Sequence, residues 1–300
     1  MVEYSEVVPK KLFDTLRNVY MVVGEVGDEW VRYAVGRIER YAEDTDMLFL
    51  GYHPGSSRSL VALLGDVGGG DTPTLVAKVA PDHSPTVTPD TIGYALETWG
   101  YKGFSPETEY WGDGFIVSLY VPSYPEDYSL DPGDVVDVLT RNLSFEGGHP
   151  MTLRERLDVR MVDAVRRHDY LMSVPRDVLM SAFGDDVVRR VSNLVHQVED
   201  NEAGLLKRCG DYDEPCHGDM ASSNVLKSHG MAYLIDPEPH LGPREIDLSR
   251  LIQSPDITFS DSTISSIVKE SGLDSETFQM ARLHSEATMQ LYRYQRELTL

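Results

Sequence analysis

Cysteine is nearly absent from this chain of 300 residues. The two present, Cys209 and Cys216, do not form a Cys-x-x-Cys pair. Their number and spacing indicate neither a disulfide framework nor a zinc site built from thiolates. We therefore expect a protein of a reducing compartment.

Long apolar runs are also lacking, and none approaches the ~20 residues that a membrane-spanning helix needs. The first residues, Met1-Val2-Glu3-Tyr4-Ser5-Glu6, carry acidic groups where a signal peptide carries basic ones. These two absences predict a cytoplasmic protein that does not act at a membrane.

Basic residues are few: 27 Lys and Arg, of which only 7 are Lys, stand against 49 Asp and Glu, for a net charge of -22. A negative field disfavours binding to nucleic acids or anionic membranes and mildly favours a cationic ligand. The acidity also fits a general surface adaptation to solubility or salt, and so it identifies no site by itself.

The hydrophobic pattern divides the chain into a β-rich first part and a helical second part. Short apolar runs separated by Gly, Pro, Ser and Asp clusters predict an antiparallel meander, with turn residues at 111–114. The predicted strands are 47–51, 59–64, 74–79 and 115–122. The predicted helices are 11–20, 29–41, 90–100, 135–143, 152–171, 178–206, 264–271, 274–280 and 281–298, with Gly272 as a C-terminal cap.

This order predicts an α+β protein of two lobes. Residues 1–122 would form the first lobe, with leading helices, a small antiparallel sheet, one helix and a linker strand. Residues 123–300 would form a mainly helical second lobe.

Three polar residues about midway along the predicted second lobe are the candidates for a catalytic role. Asp219, Asn224 and Asp236 lie within one short stretch, and the apolar runs 225–226 and 233–235 predict a hairpin that brings Asn224 and Asp236 together. Phosphoryl transfer needs a carboxylate near the attacking hydroxyl and hard oxygen ligands for Mg²⁺. This set of residue types therefore fits a kinase acting on a hydroxyl group.

The motif His217-Gly218-Asp219-x-x-x-x-Asn224, followed by Ile235-Asp236-Pro237, resembles the catalytic and metal-binding motifs of aminoglycoside phosphotransferases. The stretch 234–248 is most similar to the streptomycin and hydroxyurea phosphotransferase branch. Residues 54–61 and 76–81 are similar to the nucleotide loop and lysine strand of that branch. The resemblance implies a bilobal protein-kinase-like fold, with a nucleotide-binding first lobe and a second lobe holding the catalytic loop and the substrate pocket.

The resemblance also implies residue roles. Asp219 would be the catalytic aspartate, Asn224 and Asp236 the Mg²⁺ ligands, and His217 and Asp247 braces of the loop. Asp247 would also cap the start of the helical pattern that follows it. ATP would be bound by a further set of residues, namely Lys78, Gly55, Ser56, Ser57, Leu119, Tyr120 and Val121.

The resemblance further implies a small, polar, cationic acceptor such as an aminoglycoside. It associates the chain with antibiotic resistance, but the sequence does not fix the biological role. Glu238, Glu245 and Glu286 are candidate contacts for its ammonium groups. One departure from the family is that the glutamate expected to pair with Lys78 falls near Ile92, flanked by Asp90 and Glu97.

Three other functions remain open. The acceptor could be another hydroxylated metabolite, such as an amino alcohol, sugar or nucleoside. A catalytically inactive kinase-fold protein could bind a nucleotide or a partner. A metal-dependent hydrolase could use His217, Asp219, Asp236 and His240 as ligands, although it leaves Asn224 and Lys78 without a role.

Overall fold

A computed structural model describes residues 28–53, 59–79, 88–122, 129–144 and 147–299. The described residues up to 122, with 147 and 148, form one compact unit, and the remaining described residues form a second. The predicted helix 11–20 lies outside the described residues. None of the described helices is long and apolar enough to cross a membrane.

The first unit consists of a five-stranded antiparallel sheet and two helices. The sheet has the strand order β1-β2-β3-β5-β4. Its elements are α1 (Asp28–Asp44), β1 (Met47–Tyr52), β2 (Leu60–Asp66), β3 (Leu75–Val79), α2 (Pro89–Tyr101), β4 (Thr108–Gly112) and β5 (Phe115–Leu119).

The core of this unit lies between α1 and the sheet. Ala34 and Ile38 of α1 are fully buried, as are Ala77 and Val79 of β3. Lys78 lies between the two buried β3 residues, and because successive side chains of a strand point to opposite faces, it points away from this core.

Strand β4 is a difference from the sequence prediction, which placed only a turn at 111–114. The turn exists, with Asp113 at φ +49° and Gly114 at φ +73° joining β4 to β5. Two residues with positive φ are typical of a tight hairpin whose twist matches its strands. The strand before it escaped prediction because its residues are exposed or half-buried at the sheet edge and show no apolar pattern.

The second unit is mainly helical. Its helices are α3 (Pro132–Thr140), α4 (Leu153–Ser173), α5 (Arg176–Phe183), α6 (Val187–Cys209), α7 (Glu245–Leu251), α8 (Asp261–Glu270) and α9 (Ser275–Thr299). Two short strand pairs complete it, β6 (Pro215–Cys216) with β9 (His240–Leu241) and β7 (Val225–Ser228) with β8 (Met231–Leu234).

Two helix predictions in this unit were wrong. The predicted helix 178–206 is two helices, because the chain leaves the helical conformation at Gly184, which has φ +91°. The predicted helices 274–280 and 281–298 are one continuous helix, α9, since no glycine or proline interrupts that stretch. Gly272, with φ +70°, follows the end of α8 as predicted.

Candidate active site

The loop after β6 places the candidate catalytic residue, Asp219. It passes through Gly218, whose φ of +83° favours glycine. A Cβ atom at this position would lie 1.9 Å from the Glu238 carbonyl oxygen. The loop therefore requires glycine here for its close approach as well as for its backbone conformation.

Asp247 holds this loop from the side of helix α7. Its carboxylate accepts hydrogen bonds from the amides of His217 and Gly218, both at 2.8 Å. Burial raises the pKa of the Asp247 carboxyl, and these two donors oppose the rise by stabilising its charged form. The expected helix cap was wrong, because Asp247 lies inside the first turn of α7 and binds the loop instead.

His217 connects the loop to the residue before Asp236. Its Nε2 lies 2.9 Å from the Ile235 carbonyl oxygen, and its Nδ1 lies 3.4 Å from the Asp219 amide nitrogen. An imidazole with its proton on Nε2 satisfies both contacts, donating to the carbonyl and accepting from the amide.

The hairpin β7–β8 brings Asn224 beside the stretch that leads to Asp236. Val225 pairs with Leu234, and the Ile235 amide donates to the Asn224 carbonyl oxygen at 2.9 Å. This confirms the hairpin predicted from the two apolar runs. Asp236 follows with φ +53°, a left-handed conformation that Asp tolerates better than most residues.

Asn224 and Asp219 are directly joined. The Asn224 carboxamide nitrogen donates to the Asp219 carbonyl oxygen at 2.7 Å and lies 3.3 Å from Oδ2 of its carboxylate. The amide oxygen of Asn224 and the carboxylate of Asp236 are the hard donors that Mg²⁺ prefers, so these residues fit that ion chemically. Among the described residues, no three His, Cys, Asp or Glu side chains are grouped so that they could hold a metal ion.

Arg250 is a contact that the sequence reasoning missed. Its Nε lies 3.0 Å from Oδ1 of Asp219, and its side chain remains 26% exposed. Arg250 lies on α7, 31 residues after Asp219, and a lone arginine on a helix gives no sign of such a pairing.

Two further arginines, Arg156 and Arg160, lie on α4. Arg156 is buried, donates to the Gly218 carbonyl oxygen at 2.5 Å and forms an ion pair with Glu238 at 2.6 Å. Arg160, one helical turn later, lies 3.6 Å from the same Glu238 oxygen. Three guanidinium groups thus lie at or near the candidate catalytic loop, in a chain whose net charge is -22.

The three candidate substrate acids all have contacts inside the unit. Glu238 is paired with the α4 arginines, and Glu286 lies 2.8 Å from Arg282. Glu245 is 5% exposed and accepts a hydrogen bond from the Asp274 amide at 2.6 Å, and burial raises the pKa of its carboxyl. Glu245 therefore contacts a helix start and is removed from bulk solvent.

On the nucleotide side, Lys78 pairs with Val61 and Ile116 across the sheet. Gly55, Ser56 and Ser57 lie outside the described residues. Glu97, one of the two acids considered for Lys78, accepts a hydrogen bond from the Trp111 indole at 3.1 Å.

The expected hinge residues differ in what their amides do. The Leu119 amide donates to the Glu107 carbonyl oxygen at 2.8 Å, and the Tyr120 amide donates to that of Thr74 at 2.7 Å. No described residue accepts a hydrogen bond from the Val121 amide.

Solved structures of small-molecule kinases share this fold. Choline kinase LicA from Streptococcus pneumoniae is 13% identical, with a TM-score of 0.59 over 88% of this chain and 92% of that one. Aminoglycoside phosphotransferase APH(3'')-Id from Streptomyces rimosus, in complex with ADP and streptomycin, is 15% identical, with a TM-score of 0.57 over 84% and 97%. Ethanolamine kinase from Plasmodium vivax is 14% identical, with a TM-score of 0.55 over 98% and 93%.

No protein-family model and no curated protein matches the sequence. The structural likeness confirms the predicted α+β protein-kinase-like fold. It does not single out the streptomycin and hydroxyurea branch, because identity is similarly low to aminoglycoside, choline and ethanolamine kinases.

Proposed function

We propose that this protein is an ATP-dependent kinase that transfers the γ-phosphate to a hydroxyl group of a small molecule. The observation that carries the proposal is the joined arrangement of Asp219 and Asn224, with Asp236 following on the same hairpin. These are the residue types that phosphoryl transfer needs, on a backbone clamped by Asp247.

In this mechanism Asp219 accepts a hydrogen bond from the acceptor hydroxyl, orients its oxygen towards the γ-phosphorus and takes up the proton. Asn224 and Asp236 would hold Mg²⁺, which neutralises charge on the phosphates when bound. The clamp on the His217 and Gly218 amides keeps the Asp219 backbone in place, so that orientation costs little at the moment of transfer.

For the nucleotide, we propose that Lys78 binds the α- and β-phosphates, as in kinases of this fold. The Val121 amide is the proposed donor to the adenine ring, because the Leu119 and Tyr120 amides are already engaged. Gly55, Ser56 and Ser57 remain proposed contacts of the phosphates.

The resemblance to the streptomycin branch makes an aminoglycoside the first acceptor to test. The internal contacts of Glu238, Glu245 and Glu286 give a cationic acceptor little support, since each carboxylate already has a partner. Amino alcohols, sugars and nucleosides are therefore tested beside aminoglycosides.

The first prediction concerns Asp219→Asn. ATP turnover against this panel should fall about a thousandfold, because the side chain can no longer accept the proton. The dissociation constant for Mg·ATP, measured by titration calorimetry, should stay within about threefold, since Asp219 acts on the acceptor.

Asp211→Asn is the control, because it makes the same substitution at an exposed position in the second unit. Equal turnover by wild type and Asp219→Asn would refute the catalytic assignment. Mg·ATP binding without a phosphorylated product from any acceptor would favour the inactive binding protein.

A further inference from the structure

Arg160 is a guanidinium group with unused hydrogen-bonding capacity beside the catalytic loop. It makes no hydrogen bond within the described part of the chain, and its one ion pair, to Glu238, is 3.6 Å long. Its side chain is 31% exposed, so a ligand can reach it. A guanidinium carries five N–H donors in a fork that fits a carboxylate or phosphate.

Glu238 does not satisfy Arg160, because the two α4 arginines share one of its oxygens. Arg156 binds Oε2 of Glu238 at 2.6 Å, and Arg160 approaches the same atom from 3.6 Å. Arg250 of α7 is paired with Asp219 of the loop. Among the charges that act on Arg160, those of Arg156 and Arg250 are positive and those of Glu238 and Asp219 are negative. Together with Arg160 itself, three guanidinium groups stand against two carboxylates in this set, which leaves one excess positive charge.

The excess positive charge acts on Arg160 itself. The pKa of its guanidinium is lowered to about 10, first by the charge of Arg156 and then by burial, while Glu238 and Asp219 act in the opposite direction. A second anion beside Arg160 would relieve this repulsion.

Nearby histidines do not change the sign of the site. Burial lowers the pKa of His240 to about 3 and that of His284 to about 4, and the charges of Arg156 and Arg160 add to both effects. Both imidazoles are thus neutral near pH 7, and the excess charge stays on the arginines.

We propose that Arg160 binds an anionic group, a carboxylate or a phosphate, of the acceptor whose hydroxyl meets Asp219. The acceptor hydroxyl must lie against the Asp219 carboxylate, so its remaining groups meet the charges around that residue. The assignment of this anion to an acceptor rests on the proposed kinase function, whereas anion binding by Arg160 does not.

Such an acceptor differs in charge from an aminoglycoside. An ammonium group placed beside Arg160 would meet a like charge in a partly desolvated site, where repulsion is stronger than in water. An anion would instead gain charge-assisted hydrogen bonds from the guanidinium fork.

The test uses hydroxyl compounds that differ in charge on a similar carbon skeleton. D-glucuronate, D-glucose and D-glucosamine form one series, and D-glycerate, glycerol and 3-amino-1,2-propanediol form another. Binding to the 300-residue chain is measured by titration calorimetry at pH 7.5 and constant ionic strength, and phosphorylation is measured with Mg·ATP.

In at least one series, the anionic member should bind more tightly than the neutral and cationic members. Arg160→Gln should weaken its binding at least tenfold, as expected for loss of a charged hydrogen-bonding partner. Arg160→Lys keeps the positive charge but loses the forked guanidinium, so its affinity for the anion should lie between those of the wild type and Arg160→Gln.

Arg166→Gln is the matched control, because it removes the same charge from an exposed position of α4. It should leave anion binding unchanged. Thermal unfolding of the variants checks folding, which Arg160→Gln should preserve since Arg160 is partly exposed and makes only one long ion pair.

Three results would overturn the inference. One is that no anionic member binds more tightly than its neutral counterpart. The second is equal loss of anion binding in Arg160→Gln and Arg166→Gln. The third is weaker Mg·ATP binding in Arg160→Gln with unchanged acceptor binding, which would assign the guanidinium to the nucleotide.

The proposed kinase function can fail separately. Binding of an anion that depends on Arg160, without phosphorylation of any compound, would support the anion site and refute the kinase. Phosphorylation of an aminoglycoside at equal rates by wild type and Arg160→Gln would support the kinase and refute the anion site.

Discussion

Gly218 shows how the catalytic loop depends on one residue. The carbonyl oxygen of Glu238 and Nδ1 of His240 occupy the space that a side chain would need, with 1.9 and 2.9 Å to a hypothetical Cβ. Neither neighbour can move away easily, because Glu238 is tied back to the loop through its amide and His240 is buried in β9. The shorter of the two contacts, to the Glu238 carbonyl oxygen, is with the backbone, which cannot rotate away as a flexible side chain could.

Gly218→Ala should lower the free energy of unfolding by more than about 2 kcal/mol and abolish turnover, because the loop must move to admit the methyl group. Chemical denaturation measures the first effect and an ATP assay the second. Gly230→Ala is the matched control, since Gly230 has a similar φ of +76° but nothing within 4 Å of its Cβ position.

The control should cost about 1 kcal/mol, the penalty of a left-handed alanine, and keep the activity. If both variants lost equal stability, the steric argument for Gly218 would be wrong and backbone conformation alone would explain the requirement.

At the scale of elements, helices α4 and α7 supply the guanidinium groups near the loop, and helix α9 supplies a buried histidine that those charges affect. Helix α4 supplies Arg156 and Arg160, which lie on one face because they are four residues apart. Helix α9 supplies His284, which is 7% exposed and whose Nε2 has no hydrogen-bond partner in the described residues. Burial lowers the pKa of this imidazole, and the charges of Arg160 and Arg156 lower it further, so that it is neutral near pH 7.

His284 should make folding stability depend on pH. Its folded pKa is about 4, below the ~6.5 of the unfolded chain, so the unfolded state binds more protons between these values. Its contribution is complete above about pH 6.5 and is lost as the pH falls towards 4, by about 3 kcal/mol in total.

Denaturation of His284→Gln between pH 7 and 4 measures this effect. The variant should lose about 3 kcal/mol less stability over that range than the wild type. His196→Gln is the control, because His196 is an exposed histidine of α6, and it should follow the wild-type curve. A wild-type slope retained in His284→Gln would contradict the argument.

At the scale of the whole molecule, the dominant property is the net charge of -22. Like charges spread over a compact protein repel one another and destabilise the folded state. Exposed ion pairs, such as those of Arg208 with Asp274 and Glu276, act in the opposite sense but contribute little each.

Raising NaCl from about 0.02 to 0.5 M at pH 7.5 should therefore raise Tm by several degrees, because salt screens the repulsion. KCl at equal ionic strength should give the same shift, which separates screening from specific ion binding. A fall in Tm with salt would mean that the ion pairs outweigh the net repulsion.

The parts of the fold that were predictable are those with a strong local pattern. Helix α1 carries apolar residues at the helical period, and strands β2 and β3 are short apolar runs bounded by turn residues, and the structure confirms all three. Strand β4 has a weak pattern because it lies at a sheet edge, and α5 and α6 were fused because Gly184 alone does not mark a helix end.

In the candidate site, too, the residues that were predictable are those within one local stretch of sequence. Asp219, Asn224 and Asp236 lie within 18 residues, so their types, their order and the intervening hairpin follow from one local stretch of sequence. That stretch therefore determined the chemistry that we propose for this protein: one carboxylate for a hydroxyl and two oxygen ligands for a metal.

Only the tertiary structure decided the charge around that chemistry. Arg156 reaches Gly218 across 62 residues, and Arg250 reaches Asp219 across 31. No periodicity links residues so far apart, and the acidic composition pointed towards a cationic ligand. Packing of α4 and α7 against the loop places guanidinium groups beside Asp219 in a chain of net charge -22, because a local field depends on which side chains are near and not on their total number.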